Sequence, residues 1–343
     1  MSNLLSILNM TFVERWKGDL HVPDVSLKGR TVLITGGNAG LGLESAIHFA
    51  RLSPSRLILA CRTSSKGEAA ADRIAKETGL ARGNIAVWQL DLASFDNVKT
   101  FAHRANRELD RLDVACLNAA LAPMKWGQTE DGWERGLQVN DLATGLQAVE
   151  LLPLMRKTAD LPTPAGGAPL KPHLTIVASD VHLVAAWTER KAVPSKHSTY
   201  LAALNDEKIF NSFDRYNVTK LLEVLFVREL AKLPFINGKV VLNTVNPGLT
   251  KSGLRDEFPG AAATFFNWIA RPTADSARNY VWAGLTDTDA EEPAGGAYVS
   301  LCKVVPPSKF VRSKEGQEVG ARLLQEMIQV WKKVDPEAVA KVF

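Results

Sequence analysis

Residues 30–42 read R-T-V-L-I-T-G-G-N-A-G-L-G. The β-branched run from Thr31 to Thr35 ends at a glycine cluster, which predicts a short buried strand. Leu41, Ala46, Ile47 and Ala50 follow at helical spacing, so residues 40–52 predict a helix. The turn Thr35-Gly36-Gly37-Asn38-Ala39-Gly40-Leu41-Gly42 therefore lies at a strand-to-helix junction. Glycines at this spacing let the chain reverse sharply, let the backbone approach a pyrophosphate, and let helix and strand pack closely. The helix N-terminus then offers free N–H groups and a positive dipole end to phosphate oxygens. A tight glycine turn without a ligand is the bland alternative, and the junction argues against it.

Moving outward, Leu57-Ile58-Leu59-Ala60 predicts a second strand, 65–78 a helix, 84–90 a third strand, 94–109 a helix and 112–117 a fourth strand. A long helix is expected over 132–156, a Pro/Gly-rich surface loop over 158–173 and a fifth strand over 174–178. Residues 183–213 are polar, irregular and long for a connection, which suggests a functional insertion. A helix over 215–232, strands over 240–245 and 297–301, and a terminal helix over 314–333 complete the series. Strands without strict polar alternation, separated by helices, belong to a parallel sheet covered on both faces. The expected fold is α/β: one doubly wound domain over 29–343 with a seven-stranded, mostly parallel sheet, preceded by a helical extension over 1–28.

The chain has 343 residues, 46% hydrophobic and 23% charged, with a formal net charge of +4. Disordered chains combine low hydrophobicity with high net charge, so this is a folded protein. The small charge, without a cluster of basic residues interleaved with aromatics, leaves nucleic acid no electrostatic footprint. Cys61, Cys116 and Cys302 form no C-x-x-C pair, so neither a metal motif nor a disulfide framework is expected. Three reduced thiols point to an intracellular, cytoplasmic setting. Leu4, Leu5, Ile7, Leu8, Met10, Phe12, Val13 and Trp16 form an apolar cluster, but no run is long enough to span a bilayer. That segment predicts a short helix packed on the body or on a partner, with membrane-surface contact as the alternative.

Three further places in the chain carry chemistry. The second strand ends at Ala60-Cys61-Arg62, where a dinucleotide fold faces the adenosine ribose; an Arg there accommodates a 2′-phosphate and an acid a free 2′-hydroxyl. Arg62, with Lys66 four residues later, favours NADP(H) over NAD(H). Asp91 in Q-L-D-L either accepts from an adenine amino group or serves as a turn residue or helix cap. Tyr216-Asn217-Val218-Thr219-Lys220 places a phenol and an ammonium on one helix face. Tyr200, Tyr280 and Tyr298 have Leu204, Gly284 and Cys302 at the same offset, so Tyr216 alone has a lysine there.

These elements together resemble the short-chain dehydrogenase/reductase family. The resemblance is carried by T-G-G-N-A-G-L-G at 35–42, D-L at 91–92, L-N-A-A at 117–120, V-N at 139–140, Ser179 in V-A-S-D, Y-N-V-T-K at 216–220 and N-P-G-L-T at 246–250. It is close over residues 29–250. Asn38, A-C-R at 60–62, S-D-V-H at 179–182 and the long gap from Ser179 to Tyr216 resemble the retinol dehydrogenase and WW-domain oxidoreductase branch, and fungal biosynthetic reductases look similar. The resemblance implies a Rossmann fold and a catalytic set of Asn140, Ser179, Tyr216 and Lys220. Tyr216 would be the general acid or base, and Lys220 would favour its phenolate and bond the nicotinamide ribose. Ser179 would polarise the substrate oxygen, and Asn140 would hold a water linking Lys220 to solvent. The implied cofactor contacts are Gly36, Asn38, Gly40, Leu41, Gly42, Arg62, Lys66, Asp91, Leu92, Asn118, Ala119, Tyr216, Lys220, Pro247, Gly248 and Thr250. Ala120 departs from the glycine usual in the family. Homo-oligomers are frequent in the family, often through the helices near 95–155 and 216–232.

Leu254, Phe258, Ala261, Ala262, Ala263, Phe265, Phe266, Trp268 and Ile269 make residues 249–275 an apolar substrate cover, or else an ordinary packing helix. The expected partner is a small, largely apolar carbonyl or alcohol. A non-redox isomerase or proton-transfer enzyme on the same fold, or a cofactor-binding regulatory protein, are the alternatives. His182 reads as a turn-satisfying histidine, and Trp126, Trp133 and Trp187 as packing residues.

Overall fold

The predicted first strand is β1 (Thr31–Thr35) in a computed structural model that describes residues 20–193, 195–250, 270–292 and 294–343. Leu33 of β1 joins one apolar cluster, while Val32 and Ile34 join a second on the opposite side of the sheet. Alternate side chains of a strand point to opposite faces, so this split means both faces are covered. Strands buried on both sides are mostly apolar, although those over 173–177 and 241–246 also bury His173, Thr175, Asn243, Thr244 and Asn246.

The other strands are β2 (Arg56–Cys61), β3 (Ile85–Gln89), β4 (Val114–Leu117), β5 (His173–Val177), β6 (Val241–Asn246), β7 (Ala297–Ser300) and β8 (Lys303–Val304). They pair in the order β3-β2-β1-β4-β5-β6-β7-β8, parallel except for the antiparallel β7–β8 pair. The chain therefore leaves β1 toward β2 on one side and returns to β4 on the other. That reversal is the switch point at which doubly wound sheets bind ligands. The sheet has eight strands rather than seven. The extra strand is two residues long and follows a tight turn in which Leu301 and Cys302 both have φ of 54°. Hairpin turns of this hand usually announce themselves through Asn or Gly, and Leu-Cys gives no such signal.

The helices are α1 (Gly40–Arg51), α2 (Ser64–Thr78), α3 (Phe95–Glu108), α4 (Thr144–Ala159), α5 (Tyr200–Leu204), α6 (Arg215–Ala231), α7 (Thr273–Ala283), α8 (Lys309–Arg312), α9 (Lys314–Val334) and α10 (Pro336–Ala340). The helix expected over 132–156 begins instead at Leu137, as a π-helical segment to Ala143, and continues as α4 to Ala159. The extension expected to be helical over 1–28 shows no helix in its described part, residues 20–28, although Leu20 and Leu27 are buried against the core. Its apolar cluster, and most of the expected substrate cover, lie outside the described residues.

Val319, Leu323, Met327 and Trp331 give α9 an apolar stripe at helical spacing. Trp331 donates its indole N–H to the Leu142 carbonyl at 2.8 Å. A Cβ on Gly145 would lie 2.6 Å from the Trp331 ring, so that glycine admits the indole. Helix α9 thus covers α4 and α6, the helices to which the resemblance gives subunit contacts. The chain is expected to run as a monomer by light scattering; a stable dimer would show that another face associates.

Candidate active site

The turn after β1 needs glycine for definite reasons. Gly36 and Gly40 have φ of 66° and 53°, in the left-handed region that side chains disfavour. A Cβ on Gly42 would lie 2.3 Å from the Gly36 carbonyl oxygen and 2.7 Å from Asn118 Nδ2. A Cβ on Gly40 would meet nothing within 4 Å. Ala39, which opens α1, offers no side-chain cap. Asn118, at the end of β4, braces this turn: its amide N–H donates to Thr35 Oγ1 and its Nδ2 to the Thr35 carbonyl, both at 2.8 Å.

Beside the turn is a cavity of about 580 Å³. It is lined by Gly36, Gly40, Leu41, Gly42, Asn118, Ala119, Ser179, Tyr216, Lys220, Pro247, Gly248 and Thr250 from the expected set. Ser179 lies two residues beyond β5, and its Oγ accepts from the Val181 N–H at 3.4 Å, so it both caps the next turn and faces the cavity. Tyr216 and Lys220 sit one turn apart on α6, with Lys220 Nζ 5.6 Å from the Tyr216 ring centroid. Lys220 donates to the Val177 carbonyl at 2.8 Å and to Glu223 Oε1 at 2.7 Å.

Burial works against the Lys220 charge, but Glu223, Tyr216 and Asp141 outweigh it, and its pKa lies above the ordinary lysine value. Glu223 is pushed up to about 7 by burial, with Lys220 pulling the other way. Asp141 is held well above the usual carboxylate range by burial, and the Glu223 charge adds to the effect. The ammonium is therefore the well-supported charge of this group at neutral pH.

Six expected residues do not line the cavity: Asn38, Arg62, Lys66, Asp91, Leu92 and Asn140. Arg62 and Lys66 are exposed at the β2 tip and at the start of α2, and neither forms an ion pair among the described residues. Asp91 takes the turn role, with Oδ1 accepting from the Ala93 N–H at 3.0 Å. Asn140 is fully buried, and its carboxamide is engaged at both ends. Oδ1 accepts from the Leu121 N–H at 2.9 Å, and Nδ2 donates to the Leu121 carbonyl at 2.8 Å and to Thr219 Oγ1 at 3.0 Å. It ties the loop after β4 to α6, one residue before Lys220.

Five residues enter the site that sequence reasoning did not single out. Asp180 accepts from Tyr298 Oη and from Asn246 Nδ2, both at 2.5 Å, and Asn246 Oδ1 accepts from the Gly248 N–H at 3.0 Å. This network joins the Ser179 turn to the Pro247-Gly248 turn across β6 and β7. Glu223 lies three residues beyond Lys220, and Tyr280 lines the cavity floor from α7. Asp180, in S-D-V-H, and Asn246, in N-P-G-L-T, carried a signal; the other three did not. His182 is the turn histidine expected: Nδ1 donates to the Ser179 carbonyl at 2.8 Å and Nε2 accepts from the Ser308 N–H at 3.1 Å. Burial lowers its pKa to about 4, so the ring is neutral.

A glycine turn at the switch point of a doubly wound sheet, opening on a cavity that holds Tyr, Lys and Ser, defines a Rossmann-type fold with a dehydrogenase-like site. Residues 30–160 match the family model described as short chain dehydrogenase. The chain is 36% identical, over 92% of its length and 95% of the relative's, to the short chain dehydrogenase/reductase dmxR8 of Cryptosporiopsis sp. (strain 8999). It is 39% identical, over 81% and 90%, to the short chain dehydrogenase sol3 of Alternaria solani. Among solved structures, a Shigella flexneri short chain dehydrogenase complexed with NADP matches with TM-score 0.56 and 22% identity, covering 78% of this chain and 95% of that one. The chain belongs to the short-chain dehydrogenase/reductase family, and the fungal relatives bear out the likeness to fungal reductases.

Proposed function

We propose that this oxidoreductase transfers hydride between NADP(H) and the carbonyl or secondary alcohol of a small, largely apolar molecule, with Tyr216 as the proton donor or acceptor. The observation that carries this reading is the placing of Tyr216 over Lys220 in the cavity that also receives Ser179 and the glycine turn. The residues present fit a dinucleotide: the Gly40 position is open to the cavity, and the α1 N-terminus has no side-chain cap to compete with phosphate oxygens. When bound, the nicotinamide supplies or accepts the hydride.

The chain's own groups do the rest. Tyr216 delivers a proton to the carbonyl oxygen in reduction and removes it in oxidation. The Lys220 ammonium favours the phenolate and is itself held charged by Glu223. Ser179 Oγ donates to the substrate oxygen. Asn140 positions the Lys220 turn of α6 through Thr219. Ala122, Pro123, Met124, Leu249 and the 84%-exposed Phe213 give the cavity an apolar wall beside Ser179. Phe213 lies at the end of the long insertion over 183–213.

The test is loss of NADPH absorbance at 340 nm over a panel of apolar ketones and aldehydes. Tight NADPH binding with no turnover on any of them would favour a binding protein instead. Arg62, exposed at the β2 tip, is proposed to receive the 2′-phosphate. Arg62→Glu should raise the KM for NADPH roughly tenfold, the scale of one charge-assisted bond at an exposed site, and leave that for NADH nearly unchanged. Equal effects on both cofactors would remove Arg62 from the ribose site.

A further inference from the structure

Outside the active site, three ligand-bearing side chains from distant parts of the chain meet at one point. His103 comes from α3, Glu150 from α4, and Asp335 from the joint between α9 and α10. One ligand atom from each lies within 4.8 Å of the other two. His103 Nε2 and Asp335 Oδ2 are 2.6 Å apart. Asp335 uses its other oxygen to cap α10, accepting from the Ala338 N–H at 2.9 Å. Glu150 is 2% exposed, no protein donor reaches its carboxyl oxygens, and burial together with the facing Asp335 carboxylate pushes its pKa up to about 8. Lys99, the cation beside this cluster, donates to the Val334 carbonyl at 3.4 Å. None of the three lines the active-site cavity.

A buried carboxylate facing a second carboxylate is costly unless something positive lies between them. A proton held between the two acids, the His103 ring bonded to Asp335 at 2.6 Å, or a bound cation can supply that charge. Among cations, a nitrogen ligand beside two carboxylate oxygens is a donor set suited to a borderline transition ion rather than to calcium or magnesium. The 51%-exposed His103 side chain leaves the cluster open to solvent on one side, giving an ion a route in and water a fourth position. We infer that His103, Glu150 and Asp335 form a binding site for a divalent transition cation of the zinc class, which pins the C-terminal helices α9 and α10 to α3 and α4. The inference is independent of the proposed hydride transfer. It also departs from the sequence expectation of no metal site, which rested on C-x-x-C-type spacing and was blind to ligands at 103, 150 and 335.

The test uses the full chain without a histidine tag, freed of metal by a chelator and titrated with zinc chloride by calorimetry. One equivalent should bind saturably, and a hundredfold excess over Kd should raise Tm by about 4 °C. Glu150→Gln, nearly isosteric, and His103→Ala, at a half-exposed position, should each weaken binding at least about tenfold, the scale of losing one ligand. Tyr216→Phe should bind zinc as the wild type does. X-ray absorption of the loaded wild type should show nitrogen and oxygen neighbours only. No saturable binding, undiminished binding in both variants, or a sulfur shell from Cys61, Cys116 or Cys302 would overturn the assignment in favour of a shared proton.

Discussion

Tyr216→Phe should lower kcat about 10³-fold, within the range a positioned general acid contributes, while NADPH affinity stays close to wild type. The substitution removes one hydroxyl and keeps the ring that lies 5.6 Å from Lys220 Nζ. Lys220 keeps both of its own acceptors, the Val177 carbonyl and Glu223, so the cation is not released into the cavity. The glycine turn, braced by Asn118 and Thr35, is untouched. Turnover at 340 nm and a fluorescence titration of NADPH separate the two effects. Activity within about tenfold of wild type would mean that another group transfers the proton. The cavity-lining Tyr280 is the other phenol to test in that event.

The largest stability effect should come from the opposite end of the sheet. Arg30 and Asp113 form a buried ion pair at 2.6 Å, with both side chains at most 2% exposed. Asp113 also accepts from the Thr31 N–H at 3.0 Å and from Arg111 Nε at 2.8 Å, so one carboxylate holds the starts of β1 and β4 together. Asp113→Ala leaves the Arg30 guanidinium buried beside no anion, a loss that costs about 3–5 kcal/mol. The urea midpoint should fall with the slope of the transition unchanged. Because this pair lies at the ends of the strands away from the cavity, kcat of the folded fraction should persist. A shift below about 1 kcal/mol would show that the Arg30 charge finds other compensation, such as the Ala168 carbonyl to which it also donates.

Both predictions depend on features of different visibility. Tyr216 and Lys220 were legible because one helix turn separates them, and a helix carries that spacing directly into space. The glycines at 36, 40 and 42 were legible for the same reason: each answers a demand made within a few residues. Asp113 had no such signal. Its partners are Arg30, Arg111 and the backbone of Thr31, and only the pairing of β1 with β4 brings 30 and 113 together.

The expected roles divide along the same line. Asp91 and Asn140 were named from local motifs, yet their side chains are engaged in a turn and in a loop-to-helix tie. Their positions relative to the cavity follow from how β4, α6 and the π-helical segment pack. Glu223 carries no signal in the sequence, since a glutamate in a helix is usually solvated; burial beside Lys220 gives it a different chemistry.

By itself the sequence determined the alternation of strand and helix, the glycine turn, the Tyr–Lys pair and hence the family. These are local matters of periodicity, backbone freedom and short spacing. The tertiary structure alone decided what stands behind them: the Glu223 and Asp141 carboxyls around Lys220, the Asp180–Tyr298–Asn246 network, the burial of α9 on α4 and α6, and the meeting of His103, Glu150 and Asp335. Apart from Glu223, a helix neighbour of Lys220 set apart by its burial, each joins residues far apart in the chain. Such contacts are set by which helix faces pack on which strands, and no spacing in the sequence encodes that directly.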